Sequence, residues 1–150
     1  MELTKKQVRQ DLAFVWDWLA KNDWIDQHEV ELRLSERGAS FFSAKEGMIR
    51  VSMQDVENEC SMGHSKWKHI HILLHEVGHY IHHEACNFRD WVWLTGRRET
   101  GLELLLALSD KLTEKETHKL YLQLPVEAEA EVAREELAKL LVAEGIIDEN

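Results

Sequence analysis

The pentapeptide His75-Glu76-Val77-Gly78-His79 is the feature that most constrains the fold of this chain. On an α-helix, residues four positions apart lie on one face, so the imidazoles of His75 and His79 would project side by side. This spacing suits two histidine ligands of one zinc ion, and the Glu76 carboxylate lies where it can take a proton from water. The segment therefore predicts a helix with a metal site and the chemistry of a hydrolase.

The residues around the pentapeptide predict a helix from Trp67 to Glu84 with two different sides. At about 100° per residue the ligand histidines fall on one side. The opposite side is apolar and consists of Ile70, Leu73, Leu74, Val77, Tyr80 and Ile81. Glu76 falls beside the imidazoles, as expected of a general base. Gly78 costs about 1 kcal/mol relative to alanine inside a helix, so it predicts the close approach of another backbone or a ligand.

The composition indicates one domain over residues 1–150, with a hydrophobic fraction of 44% and no apolar run of the ~18 residues that a membrane span needs. The first residues lack the apolar stretch of a signal peptide, and two cysteines make no disulfide framework. We therefore expect a cytoplasmic protein. The net charge of −10 disfavours a nucleic-acid partner, because phosphate binding needs clustered Lys and Arg. No membrane partner is expected either.

Sequence patterns before the pentapeptide predict a helix followed by a small, mostly antiparallel sheet. Thr4 can cap a helix over Lys5–Lys21, in which apolar residues recur at helical spacing. Residues Glu29–Leu34 alternate between charged and aliphatic side chains, as in a half-buried strand. Ser40–Ala44 and Met48–Met53 flank a short turn that contains glycine, and they predict a hairpin.

Further helices are predicted after the pentapeptide. One covers Arg98–Asp110, and Thr113 caps another over Glu114–Leu122. The last helix begins at Pro125, which suits a first turn, and ends at Gly145, which suits a C-terminal cap. Together the elements predict an α+β fold with an N-terminal helix, a small sheet, the pentapeptide helix and C-terminal helices.

A catalytic zinc site needs a third protein ligand in addition to His75 and His79. Three carboxylates compete for this position. Glu99 follows the pentapeptide at a spacing similar to that in thermolysin-like peptidases. Glu127 and Glu129 lie at the two margins of the buried face of the last helix, so the residue pattern leaves all three open.

Other histidines and the cysteines extend the candidate site. His71 and His82 continue the imidazole face one turn in either direction, and we expect them to be hydrogen-bonded neighbours of the site. His82 lies about 10.5 Å along a straight helix from the first ligand histidine, too far for both to bind one ion. Cys60, His64 and His69 could form a second zinc site, although their spacing is not a strong zinc-finger pattern.

The HEVGH segment, the compact sheet before it and the later Glu-x-Glu-Ala helix resemble the zincin metallopeptidases. The resemblance is closest to the small ImmA/IrrE-like and phage-type metallopeptidase-like proteins, and it does not cover the N-terminal third. In that group a Glu-x-x-Ala motif on a later helix supplies the third ligand. Carried onto this chain, the resemblance implies a minimal zincin-like fold, Glu127 as the third ligand and Ala130 as the motif alanine.

Two functions are therefore expected. The first is a zinc-dependent metalloendopeptidase in which His75, His79 and Glu127 bind Zn²⁺, Glu76 is the general base, and a protein or peptide is the substrate. The strand Met48–Met53 would hold that substrate in extended form by edge pairing. The alternative is a zinc-binding regulatory or interaction protein on the same scaffold without significant proteolysis. A third interpretation is a helical bundle in which the pentapeptide binds no metal.

Overall fold

The computed structural model describes residues 3–58, 66–85, 111–121 and 124–148. Within these ranges the chain forms five helices and a three-stranded sheet, which confirms the predicted α+β class. None of the helices in these ranges is both long and apolar enough to cross a membrane. In chain order the elements are α1 (Lys5–Lys21), β1 (Glu31–Ser35), β2 (Phe41–Ser43), β3 (Met48–Ser52), α2 (Met53–Glu57), α3 (Lys68–Ala85), α4 (Glu114–Tyr121) and α5 (Pro125–Ala143).

Helix α1 has the predicted bounds, and its first turn is capped as expected. The Gln7 backbone N–H donates to Thr4 Oγ1 at 3.1 Å, which satisfies one of the donors that a helix leaves open at its start. The Gln7 side chain does not complete a capping box but donates to Asp11 Oδ1 at 2.9 Å. One side of α1 is buried in the core and consists of Val8, Leu12, Val15, Trp16 and Leu19.

The sheet has the strand order β1-β3-β2, and only one of its two strand pairs is antiparallel. β2 and β3 form the predicted hairpin, with Phe42 opposite Ile49. β1 instead pairs with β3 in parallel, with Leu32 opposite Ile49. The prediction of a mostly antiparallel sheet is therefore wrong, because the chain crosses from one edge of the sheet to the other between β1 and β2.

The crossing segment, residues 36–40, is fixed to the end of β3 by hydrogen bonds. Ser52 Oγ donates to the Gly38 carbonyl at 2.7 Å and accepts the Asp55 N–H at 3.0 Å. The Asp55 carboxylate in turn accepts the Ser40 N–H at 2.6 Å. Ser52 thus caps α2, a short helix that the sequence patterns do not predict, while the same bonds keep β1 and β2 on opposite sides of β3.

β3 is the central strand and has a partner on each side. Four of its five residues are buried, as its position between two strands requires. The predicted pairing of a substrate with Met48–Met53 is therefore wrong, because both edges of this strand already carry hydrogen bonds within the sheet. β1 also begins later than predicted, since the N–H groups of Glu29 and Val30 donate to the Asp26 carbonyl in a turn.

Helix α3 covers Lys68–Ala85, close to the predicted Trp67–Glu84, and contacts α1, β2, β3 and α5. Its apolar side packs into the core, where the side chains of Ile70, Leu73, Leu74 and Val77 have no exposed surface. Complete burial of each such side chain stabilises the folded protein by about 1.5–3 kcal/mol relative to leaving it exposed. The other side of α3 lies against α5, so His75 and His79 lie inside the protein.

Helices α4 and α5 begin at the predicted residues. The Thr113 N–H donates to Glu116 Oε1 at 3.0 Å, and the Glu116 N–H donates to Thr113 Oγ1 at 3.1 Å, which completes a capping box. α5 starts at Pro125, and Gly145 follows its end with a φ of +74°, a conformation that favours glycine. The predicted helix Arg98–Asp110 lies outside the described residues.

Helices α3 and α5 touch backbone to backbone at Gly78. A Cβ atom built on Gly78 would lie 2.6 Å from the Ala130 carbonyl oxygen, 2.9 Å from Ala130 Cα and 3.1 Å from Ala133 Cβ. The close approach that glycine predicts at this position is therefore confirmed. Small residues on both helices allow the contact, and no side chain separates the two backbones there.

Replacing Gly78 with alanine should destabilise the protein, although alanine is normally the better helix former by about 1 kcal/mol. The new methyl group meets backbone atoms of α5 that cannot rotate away, so we expect a loss of about 1–3 kcal/mol in the free energy of unfolding, measured in urea. As a control, Glu84→Ala and Glu84→Gly are compared at an exposed position of α3. The difference between their free energies of unfolding gives the preference of the helix for alanine over glycine at such a position. A Gly78→Ala protein as stable as the wild type would contradict the packing.

A buried imidazole ties α1 to α3. The side chain of His69 has no exposed surface, and its Nε2 lies 2.8 Å from Asp11 Oδ2. His69 Nδ1 has no hydrogen-bond partner among the described residues. Burial lowers the pKa of His69 below the ordinary value of 6.5 and outweighs the opposite effect of Asp11. The folded protein therefore holds this ring neutral.

The contribution of His69 to the free energy of unfolding should accordingly fall as the pH drops below about 6.5, because the unfolded chain then takes up a proton at His69 that the folded chain resists. In a His69→Gln variant, the loss of unfolding free energy between pH 7.5 and pH 5.5 should be smaller than in the wild type. His28→Gln, which removes an exposed imidazole, should keep the wild-type difference. Urea titrations with a chelator at both pH values measure these differences. An unchanged loss in His69→Gln would contradict the assignment.

Candidate metal centre

Three side chains from α3 and α5 bring their ligand atoms to one point. Glu127 Oε2 lies 2.8 Å from His75 Nε2 and 3.2 Å from His79 Nε2. One ligand atom from each of the three residues lies within 4.8 Å of the others. Two imidazole nitrogens and a carboxylate oxygen so placed could bind a metal ion.

The two histidines owe their arrangement to helical spacing. They stand four residues apart on α3, and their rings meet edge to face with centroids 4.9 Å apart and planes at 87°. The exposed fractions of His75, His79 and Glu127 are 7%, 9% and 1%. Ligand groups buried to this degree are held by packing, so a metal would meet a formed site.

Glu127 reaches the histidines because α5 starts next to them. Pro125 occupies the first turn of α5, and Glu127 follows in the same turn, where the helix dipole favours a negative charge. Val126, which precedes Glu127, and Ala130, one turn after it, are also buried. The contact between Ala130 and Gly78 brings this turn within hydrogen-bond distance of α3.

A second carboxylate supports the same imidazole from its other nitrogen. Glu131 Oε2 lies 3.0 Å from His75 Nδ1, and Glu131 Oε1 lies 2.7 Å from Arg134 Nε. In metal sites such an outer carboxylate fixes the ring orientation, and it leaves the other nitrogen available to the metal. Neither Glu131 nor Arg134 was among the site residues predicted from the sequence. The sequence pattern that could have indicated them is the spacing of Glu127, Glu131 and Arg134, which places all three on one face of the last helix.

The centre strongly favours positive charge. Burial lowers the pKa of His75, but hydrogen bonds to Glu127 and Glu131 outweigh burial and raise it to about 10. Burial raises the pKa of Glu127, yet the bonds to both histidines hold it well below its usual range. The pKa of Glu131 is lowered to about 2 by His75 and Arg134 against the effect of burial. Two carboxylates that hold an imidazole cationic also provide a favourable environment for a metal cation.

The general-base candidate lies at the edge of this group. Glu76 is 5% exposed, and its Oε1 lies 3.8 Å from His79 Nε2. Its position between His75 and His79 in the sequence places its carboxylate beside the three converging atoms rather than among them. The group in which the three donors converge does not include Glu76.

Of the three competing carboxylates, the structure places Glu127 against the two histidines. Glu129 is exposed on α5. Glu99 lies outside the described residues. The direction in which each side chain leaves α5 explains the difference between Glu127 and Glu129, since residues two apart on a helix point to nearly opposite sides.

The other candidate residues of the sequence lie in different surroundings. His71 is a hydrogen-bonded neighbour of the site, because its Nδ1 lies 2.9 Å from Arg134 Nη1. His69 contacts Asp11 at the far end of the helix. Cys60 and His64, the other members of the predicted second zinc site, lie outside the described residues. His82 is partly buried on the last turn of α3.

Comparisons of the chain with protein-family models, with curated proteins and with solved structures find no match. Function is therefore inferred from the geometry and chemistry of the site.

Removing the carboxylate of Glu127 should weaken metal binding by more than about 100-fold, because loss of an outer-sphere partner alone costs 10–100-fold. Glu129→Ala removes an exposed glutamate from the same turn and should leave the affinity unchanged. Competition titrations with Zn²⁺ and a chromogenic chelator measure both. Equal affinities for Glu127→Ala and wild type would show that Glu127 is not a ligand.

Proposed function

We propose that this protein is a zinc-dependent metallopeptidase that hydrolyses peptide bonds. The observation that supports the proposal is the convergence of His75 Nε2, His79 Nε2 and a Glu127 oxygen beside the Glu76 carboxylate. Two histidines and one glutamate, with a fourth position for water, form the usual donor set of a catalytic zinc site. A buried base next to such a set is the arrangement that hydrolysis of an amide requires.

The dimensions of the donor group suit zinc. Zinc binds nitrogen and oxygen at about 2.0–2.2 Å, so the donors of a tetrahedral site lie roughly 3.3–3.5 Å apart. The distances from Glu127 Oε2 to His75 Nε2 and His79 Nε2 are 2.8 Å and 3.2 Å. One ligand atom from each of the three residues lies within 4.8 Å of the others, so the hydrogen-bonded group is close in size to such a ligand set.

Each residue has a defined part in the reaction. Zn²⁺, when bound, supplies the Lewis acidity that activates water and the scissile carbonyl. Glu76 takes a proton from the attacking water at its carboxylate and later delivers it to the nitrogen of the leaving amine. Glu131 holds the His75 ring in the orientation that directs Nε2 toward the donor group.

An extended substrate would pair with β2 rather than with the central strand β3. In the described part of the chain, β2 has β3 on one side only, so its other edge offers free backbone groups. Phe42 of β2 packs against Tyr80 and His83 of α3, with ring centroids 5.8 Å and 5.7 Å apart. Tyr80 and His83 follow Glu76 by about one and two turns of α3, so β2 lies near the part of the helix that carries the base.

A Glu76→Gln variant should separate catalysis from metal binding. Glutamine keeps the size and polarity of the side chain but cannot accept the proton, so peptidase activity should fall by about 10²–10⁴-fold while Zn²⁺ stays bound. Glu84→Gln, at an exposed position of the same helix, should keep full activity. Cleavage of denatured, fluorescently labelled casein and of a peptide library provides the assay, and metal analysis provides the occupancy.

The alternative is a zinc-binding regulatory or interaction protein without significant proteolysis. The burial of all three ligand residues favours this alternative, because a substrate needs access to the metal. A cavity of about 670 Å³ lies elsewhere, between residues 20–28 and the last turns of α3, and none of the three lines it. Wild-type protein that binds one Zn²⁺ but cleaves neither casein nor peptides would favour this role and contradict the peptidase.

A further inference from the structure

Two glutamates of α5 contact opposite nitrogens of one imidazole. Glu127 Oε2 lies 2.8 Å from His75 Nε2, and Glu131 Oε2 lies 3.0 Å from His75 Nδ1. The exposed fractions of the two carboxylate side chains are 1% and 19%, and they stand one helical turn apart. Residue type alone does not decide which of them binds a metal and which supports the ring.

Arg134 contacts Glu131 at two points. Its Nε and Nη2 atoms lie 2.7 Å and 2.6 Å from Glu131 Oε1. Two guanidinium nitrogens on one oxygen fix the carboxylate more firmly than a single donor does. Arg134 is itself 16% exposed, so solvent competes little for these bonds.

Arg134 also contacts helix α3. Its Nη1 lies 2.9 Å from His71 Nδ1. A guanidinium has only donors, so His71 must present Nδ1 as an acceptor and carry its own proton on Nε2. Burial and the charge of Arg134 both lower the pKa of His71, which keeps this ring neutral and able to accept. The contacts thus run from His75 through Glu131 and Arg134 to His71, one turn earlier on the same helix.

We propose that Arg134 is a positioning residue that holds Glu131 against His75 Nδ1 and thereby leaves Glu127 as the carboxylate that binds the metal. This inference rests on the zinc site of the proposed function. With one oxygen held by Arg134, Glu131 directs the other to the Nδ1–H group of His75. The ring is then fixed with Nε2 toward Glu127. Without Arg134, Glu131 can rotate, and His75 loses the partner that orients it.

The first test compares Arg134→Met with Lys139→Met. Methionine keeps most of the arginine stem but removes all donors, so Zn²⁺ affinity should fall by about 10–100-fold. Lys139→Met removes a cation that is 72% exposed and pairs with Glu136 on the same helix, and it should bind Zn²⁺ as the wild type does. Competition titration gives the affinities, and circular dichroism verifies that each variant is folded. Wild-type affinity in Arg134→Met overturns the proposal.

A second measurement separates positioning from general stabilisation of the fold. If Arg134 acts through Glu131, then adding Arg134→Met to Glu131→Ala should weaken Zn²⁺ binding little beyond Glu131→Ala alone. If the fold-losses in Zn²⁺ affinity of the two single variants multiply in the double variant, Arg134 acts independently of Glu131, and the proposal is overturned. Long-range ¹H–¹⁵N spectra of the zinc-loaded imidazoles should also show that His75 Nδ1–H exchanges faster with water in Arg134→Met.

Arg134→Lys serves if the methionine variant does not fold. Lysine keeps the charge, but its single nitrogen cannot bridge Glu131 and His71 in the same way, so this variant should still bind Zn²⁺ more weakly than the wild type. Wild-type affinity with lysine would overturn the role of the guanidinium. Failure of the zinc site itself has a different signature, because the wild type and Lys139→Met would then also bind no Zn²⁺.

Discussion

The contact between Gly78 and the backbone of Ala130 is the constraint on which the site depends. A methyl group at position 78 would lie 2.6 Å from the Ala130 carbonyl oxygen, so only glycine lets the two helices meet this closely. That approach brings the first turn of α5, and with it Glu127, within hydrogen-bond distance of both His75 and His79. The core beneath α3 holds the other half of the site in place. Site and fold are therefore parts of one packing arrangement.

The charged side chains next to this contact are costly to bury. Buried ion pairs often contribute little net stability, whereas removal of one partner leaves an uncompensated charge that costs about 3–5 kcal/mol. Here Glu127 and Glu131 both contact His75, and Arg134 neutralises the outer carboxylate. A bound metal cation would use the same negative potential, so metal binding and folding should stabilise each other.

Local sequence patterns predicted α1, α3, α4 and α5, but they predicted neither α2 nor the parallel pairing of β1 with β3. The bounds of α1 and the starts of α4 and α5 followed from caps and helical periodicity, which depend on neighbouring residues. The parallel pairing of β1 with β3 did not, because it depends on hydrogen bonds from Ser52 and Asp55 to a distant segment. Glu131 was missed for a related reason, since its role appears only when α5 lies against α3.

The most direct test of the account is a crystal structure grown with Zn²⁺, with anomalous diffraction measured at the zinc edge. We expect one strong peak per chain at roughly 2.0–2.2 Å from His75 Nε2, His79 Nε2 and a Glu127 oxygen. We also expect Glu131 to contact His75 Nδ1 and Arg134 to contact Glu131, as in the present structure. A zinc peak bound by Glu99 in place of Glu127, or no peak between α3 and α5, would contradict it.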